Sequence, residues 1–394
     1  MMTDDGAGKT PFNFQRVIKV AFIIRSLDCG GTERQLVSLA KALDKKRFDV
    51  TILTFYSGGS LEEDLKGCRV RYITLEKRGR WDTLGFYRRF VHHLRALRPD
   101  IIHGYLDISN LLSLSAKLFL SRALIIWGAR SSNLELGHYD WLRRLSFLLE
   151  RLFARFADCI IVNSIAGRAY LLERRFPAEK VALVHNGIDT ELFRPDAEAG
   201  ARVRSEWGVP KDEILVGHVG RLDPAKDHAN LLRAASLLQR ERPDVRFVCV
   251  GSGPQSYAQR LHQITEGSGQ TKTIKWIEMR SDMRAVYNAF DINVSSSQSE
   301  GFSNVIGEAM ACAVPCVVTD VGDSALIVGD TGYVCAPRNA EALAAALISC
   351  LQEDRNALGM KARSRVMEHW GIERLVEGTE RVFITLMGKP EERS

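Results

Sequence analysis

Short apolar, β-branched runs alternate with amphipathic helical stretches from one end of this chain to the other. No other feature limits the fold as much. Strands are expected at VIKVAFII (17–24), DVTILTF (49–55), RVRYITL (69–75), DIIHG (100–104), LIIWGA (124–129), DCIIVNS (158–164) and KVALVHN (180–186). The second half supplies EILVGHVG (213–220), VRFVCVG (245–251), TIKWIE (273–278), DINVSSS (291–297) and PCVVTD (315–320). Strands alternating with helices over such a distance mean βαβ units and parallel sheets covered on both faces. The chain also echoes itself. RPDII (98–102) and RPDVR (242–246) each end a helix with Arg-Pro and launch a strand from Asp. Between the halves, HNGIDTELFRPDAEAG breaks the rhythm and places a domain boundary around 187–212. The 394 residues suit two domains of nearly 200 each. The expected fold is α/β: two doubly wound, Rossmann-like domains facing each other across a cleft, with strand carboxyl ends opening into it.

Bulk properties narrow the class without choosing within it. A net charge of +6 suits an acidic ligand, an anionic membrane face or nucleic acid, and selects none of them. The eight cysteines (Cys29, Cys68, Cys159, Cys249, Cys312, Cys316, Cys335 and Cys350) form no CxxC pair, and several lie in apolar strand runs. Reduced, packed thiols of a cytoplasmic protein fit this pattern; a disulfide framework or zinc site does not. MMTDDGAGKTPFNF is polar and acidic where a signal peptide needs a basic and then an apolar stretch. The most apolar long window, ISNLLSLSAKLFLSRALIIW, carries Lys117 and Arg122 and makes a poor membrane span.

Four constellations fall at expected strand ends. Gly30 and Gly31 follow the first strand and open a helix whose free N–H groups can meet an anion; a lone Gly-Gly is as readily a turn. Arg221 and Lys226, in GRLDPAKDH, are a fork and a point charge suited to phosphate oxygens, or else incidental charges on a solvated loop. Gly251 and Gly253 begin a G-x-G pattern, but Ser256 stands where a dinucleotide fingerprint needs its third glycine. An NAD site is therefore disfavoured. In SEGFSNVIGEAM, Glu300 precedes a helix expected to start near Ser303, and Glu308 lies inside it. The amides of Gly301, Phe302, Ser303 and Asn304 then form a helix mouth suited to phosphate or sugar hydroxyls. A helix start satisfied by its own dipole would explain this stretch if it stood alone. All four constellations together ask for a nucleoside diphosphate carrying a hydroxyl-rich group.

The order GGTERQL, HNGID, GRLDPAKDH, VGSGP, SEGFSNVIGEAMACAVPCVVTDVGD and TGYV resembles glycosyltransferase family 4, retaining enzymes of the GT-B fold, over roughly 17–370. The resemblance implies that Arg221 and Lys226 hold the donor diphosphate, that Glu300 contacts the transferred sugar and Glu308 the ribose, and that Gly30 and Gly31 form the N-terminal glycine loop. It implies a sugar-side histidine, matched by His103 in DIIHGYLD, and leaves Arg130 in WGARSSN facing acceptor phosphate or donor. No divalent metal or other cofactor is implied; arginine and lysine would do a metal's work. The divisions expected are an acceptor-side domain over 1–190, a nucleotide-sugar domain over 191–370, and a terminal helix over 371–394 that crosses back onto the first.

The leading function is retaining transfer of a sugar from a nucleotide sugar, UDP-linked first and GDP-linked second, to a glycan or lipid-linked acceptor in cell-surface polysaccharide or glycolipid synthesis. A GT-B epimerase would act without acceptor, and a non-catalytic nucleotide-sugar binder would not need Arg221, Lys226, Glu300 and Glu308 together. Nucleic-acid binding has no module behind it. Two basic stretches, 80–100 and 141–159, could rest on an anionic bilayer at the inner face of the plasma membrane. For 141–159 the plainer reading, a covering helix with solvated arginines, is preferred; 80–100 stays open.

Overall fold

A computed structural model describes residues 16–388 except Cys29, Arg80, 131–140 and Lys211. The start of the chain, the end of the WGARSSN stretch, residues 389–394 and the side chains of Arg143 and Arg144 lie outside the described set.

Seven parallel strands form the first sheet: β1 (Ile18–Ile24), β2 (Phe48–Thr54), β3 (Val70–Thr74), β4 (Ile101–Tyr105), β5 (Leu124–Ala129), β6 (Cys159–Val162) and β7 (Val181–Leu183). Their order is β3-β2-β1-β4-β5-β6-β7. The helices between them are α1 (Gly31–Ala42), α2 (Thr83–Leu97), α3 (Asp107–Leu114), α4 (Trp141–Phe153) and α5 (Ile165–Glu173). The second sheet comprises β8 (Ile214–Val219), β9 (Val245–Val250), β10 (Ile274–Ile277), β11 (Ile292–Ser295), β12 (Cys316–Thr319) and β13 (Tyr333–Cys335), ordered β10-β9-β8-β11-β12-β13. Around it lie α6 (Ala197–Glu206), α7 (His228–Glu241), α8 (Gln255–Gly267), α9 (Met283–Asn288), α10 (Asn304–Ala311), α11 (Ser324–Val328), α12 (Ala340–Gln352) and α13 (Arg355–His369). The last helix, α14 (Ile372–Met387), returns to the first sheet. Its Phe383 packs edge-on to Phe48 at 6.0 Å, and Glu380 pairs with Arg47 at 2.8 Å.

This is the doubly wound α/β architecture expected, built twice. Each strand run named above becomes a strand. Only β13 escapes the pattern. It borrows its register from β12, Val317 facing Tyr333. Each sheet buries an apolar layer on both faces. In the first, Phe22, Phe48 and Phe383 fill one side and Phe90, Trp127 and Ile160 the other.

The Arg-Pro-Asp echo has a structural cause. Arg98 ends α2 in the left-handed region (φ 47°), and Asp100 then bonds Lys19 twice: its own amide donates to the Lys19 carbonyl, and its carboxylate accepts from the Lys19 amide, both at 2.9 Å. In the second half the Asp244 carbonyl accepts from Ile214 at 3.0 Å. Both aspartates thus anchor a new strand to the first strand of its own sheet. Strand order reverses between β1 and β4 and again between β8 and β11, so two switch-point crevices form, and loops following these strands open toward the boundary between the domains.

Candidate functional site

On the second sheet the residues after β8 and β11 meet. Lys226 pairs with the Glu300 carboxylate, and Ser297 Oγ donates to the same oxygen at 2.7 Å. Lys226 is aimed by its neighbour. Asp227 adopts φ 46°, costly for a residue with a Cβ, and its carboxylate caps α7 through the Asn230 amide. Ser296 Oγ donates to the Lys226 carbonyl at 2.9 Å, tying the two loops together. Arg221 is not drawn into this cluster. Its side chain is 73 % exposed and pairs with Asp223 at 3.2 Å.

Gly251 and Gly253 are required by close packing. A Cβ on Gly251 would sit 1.9 Å from the Gly220 carbonyl oxygen, and one on Gly253 would sit 2.2 Å from that of Leu222. The G-x-G turn therefore lies directly against the loop that carries Arg221.

Helix α10 begins at Asn304, as expected, with Ser303 at its N-cap making no side-chain capping bond. Phe302 turns inward between His185 and Trp370, with ring centroids 5.7 and 5.4 Å away. Glu308 is buried. Tyr287 donates its hydroxyl to Glu308 Oε2 at 2.7 Å, and Arg34 of α1 lies 3.8 Å from Oε1. Burial raises the Glu308 carboxyl above its usual range, while Arg34 and the Tyr287 hydroxyl oppose the rise. Around this carboxylate a cavity of about 950 Å³ opens between the domains, in the size range of small-ligand pockets. Arg34 and Gln35 line one wall; Arg280, Asp282 and Met283, from the WIEMRSD loop and the start of α9, line another.

On the first sheet, Gly31 begins α1, and Glu33 folds its carboxyl over Gly30, where a Cβ would otherwise stand. Burial raises that carboxyl too. His103 lies two positions inside β4, only 1 % exposed, enclosed by Phe22, Tyr105 and Phe383. Neither ring nitrogen makes a hydrogen bond within the protein, and burial holds the imidazole neutral well below its ordinary pKa. The strand's last residue is Tyr105, and the Arg130 guanidinium stacks over its ring at 4.8 Å. Next to it Leu106 adopts φ 69°, a strained conformation of the kind that collects at functional sites.

Polar side chains join the two halves. Arg130 Nη1 donates to Asn186 Oδ1 at 2.8 Å, Asn186 Nδ2 to Asn304 Oδ1 at 2.8 Å, and Asn304 Nδ2 to the Gly31 carbonyl at 3.2 Å. Gly31, Arg130 and Asn304 are thus brought together, as are Lys226 and Glu300. His103 and Arg221 belong to neither group. Arg34, Tyr287 and Asn186 carry no assignment from sequence. A cation in the first turn of α1, where the helix dipole disfavours it, is the available signal for Arg34. Among the described residues no three His, Cys, Asp or Glu side chains converge as metal ligands do.

Two family models match the chain, "Glycosyltransferase Family 4" over residues 29–192 and "Glycosyl transferases group 1" over 213–353. The putative glycosyltransferase EpsF of Bacillus subtilis is 24 % identical over 307 residues, covering 77 % of this chain and 79 % of its own. The D-inositol 3-phosphate glycosyltransferase of Thermobispora bispora is 27 % identical over 322 residues, 75 % of each chain. Among solved structures, Anabaena HepE crystallised with UDP and glucose superposes with a TM-score of 0.81 at 23 % identity, covering 93 % of this chain and all of that one. WaaG, a glycosyltransferase involved in lipopolysaccharide biosynthesis, gives 0.70 at 17 %, covering 94 % of this chain and all of its own.

Proposed function

The chain belongs to the family 4 and group 1 glycosyltransferases and has their GT-B fold, and from that premise we propose a retaining transfer of a hexosyl group from a nucleoside diphosphate sugar. A UDP-sugar is the first choice of donor and a GDP-sugar the second. The acceptor is a glycan or lipid-linked saccharide of cell-surface polysaccharide or glycolipid synthesis.

The observation that carries the reading is the arrangement at the second sheet's switch point. A buried carboxylate, Glu308, faces a nucleoside-sized cavity, and a second carboxylate, Glu300, is held beside a lysine. Glu308 accepts from ribose hydroxyls in place of part of its present shell. Lys226, joined by Arg221 swinging in from its exposed position, neutralises the diphosphate. Glu300, released from Lys226 by those phosphates and still held by Ser297, accepts from hydroxyls of the sugar. In the transfer the bond from anomeric carbon to phosphate oxygen breaks while the acceptor oxygen bonds to the same face. The acceptor's proton leaves with the phosphate, whose growing charge Lys226 and Arg221 offset. Tyr105 and Arg130 face this chemistry from the first sheet, Arg130 toward an acceptor phosphate or the donor. His103 serves in this reading as a neutral ring beneath Tyr105.

Contact with an anionic membrane belongs to the same proposal. Helix α4 covers the sheet through Phe147, with Ala154 buried just past its end, yet exposes Leu145, Leu148, Leu152 and Phe153, with Phe156 beyond it. Arg151 and Arg155 are the charges on that outer face over 145–156, while Glu150 turns inward to Asn110 at 2.8 Å. Apolar side chains interleaved with arginine suit an interfacial helix. No helix among the described residues is long and apolar enough to cross a membrane.

Nucleotide release from UDP-sugars and GDP-sugars, followed by NMR of the product's anomeric centre, tests the transfer. Cleavage of one donor class with retained configuration is expected. An inverted product, or donor interconversion that needs no acceptor, would overturn the proposal.

A further inference from the structure

Beyond the donor and acceptor groups, one buried carboxylate crosses from one half of the molecule to the other. Asp323 follows β12 in the second domain, and its side chain is 2 % exposed. It does not turn back to its own sheet. Oδ2 accepts from the Ile165 amide at 2.8 Å and Oδ1 from the Ala166 amide at 3.0 Å, the first two N–H groups of α5 in the first domain. Ser164, the helix's own N-cap, accepts through its Oγ from the Gly167 amide at 2.9 Å. The first turn of α5 is therefore completed by a residue more than 150 positions away in sequence. His185 Nδ1 stands 3.6 Å from the same carboxylate, and burial holds that ring below its ordinary pKa.

The same short segment also holds the donor loop. The Asp323 amide donates to the Gly301 carbonyl at 2.9 Å. Gly322 (φ 58°) is pressed against the backbone of Glu300 and Gly301, where a Cβ would sit 2.3 Å from the Glu300 carbonyl oxygen. Residues 322–323 thus touch the Glu300 loop by backbone and the opposite domain by side chain.

We propose that Asp323 is a latch between the domains: its carboxylate, capping α5 of the first domain, ties the position of the Glu300 loop to the arrangement in which the two domains meet. It is a positioning residue and touches no reacting atom. Opening the cleft strips two charge-assisted bonds from a buried carboxylate and leaves two helix-terminal amides to water. The latch thereby raises the fraction of molecules in which both sheets face the substrate together.

Small-angle X-ray scattering of the full-length protein, set beside steady-state kinetics, tests this. Asp323→Ala should enlarge the radius of gyration without ligand and lower kcat by about tenfold. The Kd for the nucleoside diphosphate should rise by less than kcat falls, because Lys226, Glu300 and Glu308 all lie on the second domain and only the Arg34 wall moves away. Asp323→Asn, retaining one acceptor oxygen, should fall between. Ser164→Ala weakens the same helix end without crossing the cleft, and should leave the scattering unchanged. Three results would overturn the latch: an Asp323→Ala profile identical to the unaltered protein, nucleotide binding lost as steeply as kcat, or equal widening by Ser164→Ala. The kinetic arm rests on the transferase reading. The scattering arm does not, so a protein that turned over no donor would still decide the question.

Discussion

The carboxyl ends of the two sheets carry different chemistry. On the second sheet, carboxylates are held by named partners: Glu300 by Lys226 and Ser297, Glu308 by Tyr287 and Arg34. On the first, the groups near the cleft are mainly rings, with Arg130 lying over Tyr105 and bonded to Asn186. The His103 nitrogens, Tyr105 hydroxyl, Trp127 indole N–H and Arg130 Nε are buried without a hydrogen bond inside the protein. A ligand with fixed charge, common to many reactions, needs a rigid electrostatic cradle. Under the proposed function, the first sheet would meet the acceptor by shape and stacking.

The comparison breaks first at Lys226. Lys226→Ala should lower kcat on the order of a hundredfold, about 3 kcal/mol, because a preorganised contact to the leaving phosphate is lost. Arg130→Ala should act mainly through the KM for acceptor. Kinetics with both substrates varied separate the two, and equal effects on donor and acceptor KM would erase the proposed division of labour.

Membrane contact sharpens the same contrast, since the outer face of α4 belongs to the first domain. Leu148→Ser with Phe156→Ser should weaken binding to vesicles containing anionic lipid by about tenfold or more, from the apolar area withheld. Co-sedimentation measures it. Equal binding by the variant, or binding indifferent to anionic lipid, would remove α4 from the membrane.

The smallest effect is on stability, and two buried groups, one in each domain, give it opposite signs. Burial, assisted by Asp107, raises Glu150 in the first domain from 4.5 to about 8. Folded protein then keeps a proton that the unfolded chain releases, so this contribution to stability falls as pH rises from 4.5 toward 8, by up to about 1.4 kcal/mol per unit. In the second domain burial lowers His218 from 6.5 to about 4. There the unfolded chain takes up a proton that the folded one refuses, and stability falls as pH drops from 6.5 toward 4. Chemical denaturation at pH 5 and pH 8 should show Glu150→Gln flattening only the alkaline loss. A parallel shift at both pH values would contradict the assignment.

Legibility divides along the same line. Lys226 and Glu300 lie on strand–loop–helix junctions and Glu308 about a turn into the helix that follows, so local pattern already places all three in the fold. Asn186 sits in the linker, Arg34 on a helix and Asp323 beyond β12; their partners come from the other half of the chain, and no periodicity records a contact that closure creates. His103 differs only in its place along the strand. Read as a strand's end, it lies two residues inside it, and Tyr105 holds the terminal position on the same face of the sheet. The outer face of α4 is hidden for a related reason: hydrophobic period finds an apolar stripe, but only the fold shows that Leu148 and Leu152 are left outside.

Calorimetric titration with UDP and with GDP, run beside Glu308→Ala, tests the central claim most directly. Micromolar binding of one nucleotide without added metal, weakened about tenfold or more in the variant, is the predicted result, because the buried carboxylate would hold the ribose. Binding of neither nucleotide, or binding indifferent to Glu308, would contradict the account and leave the carboxylate a buried partner of Tyr287 and Arg34.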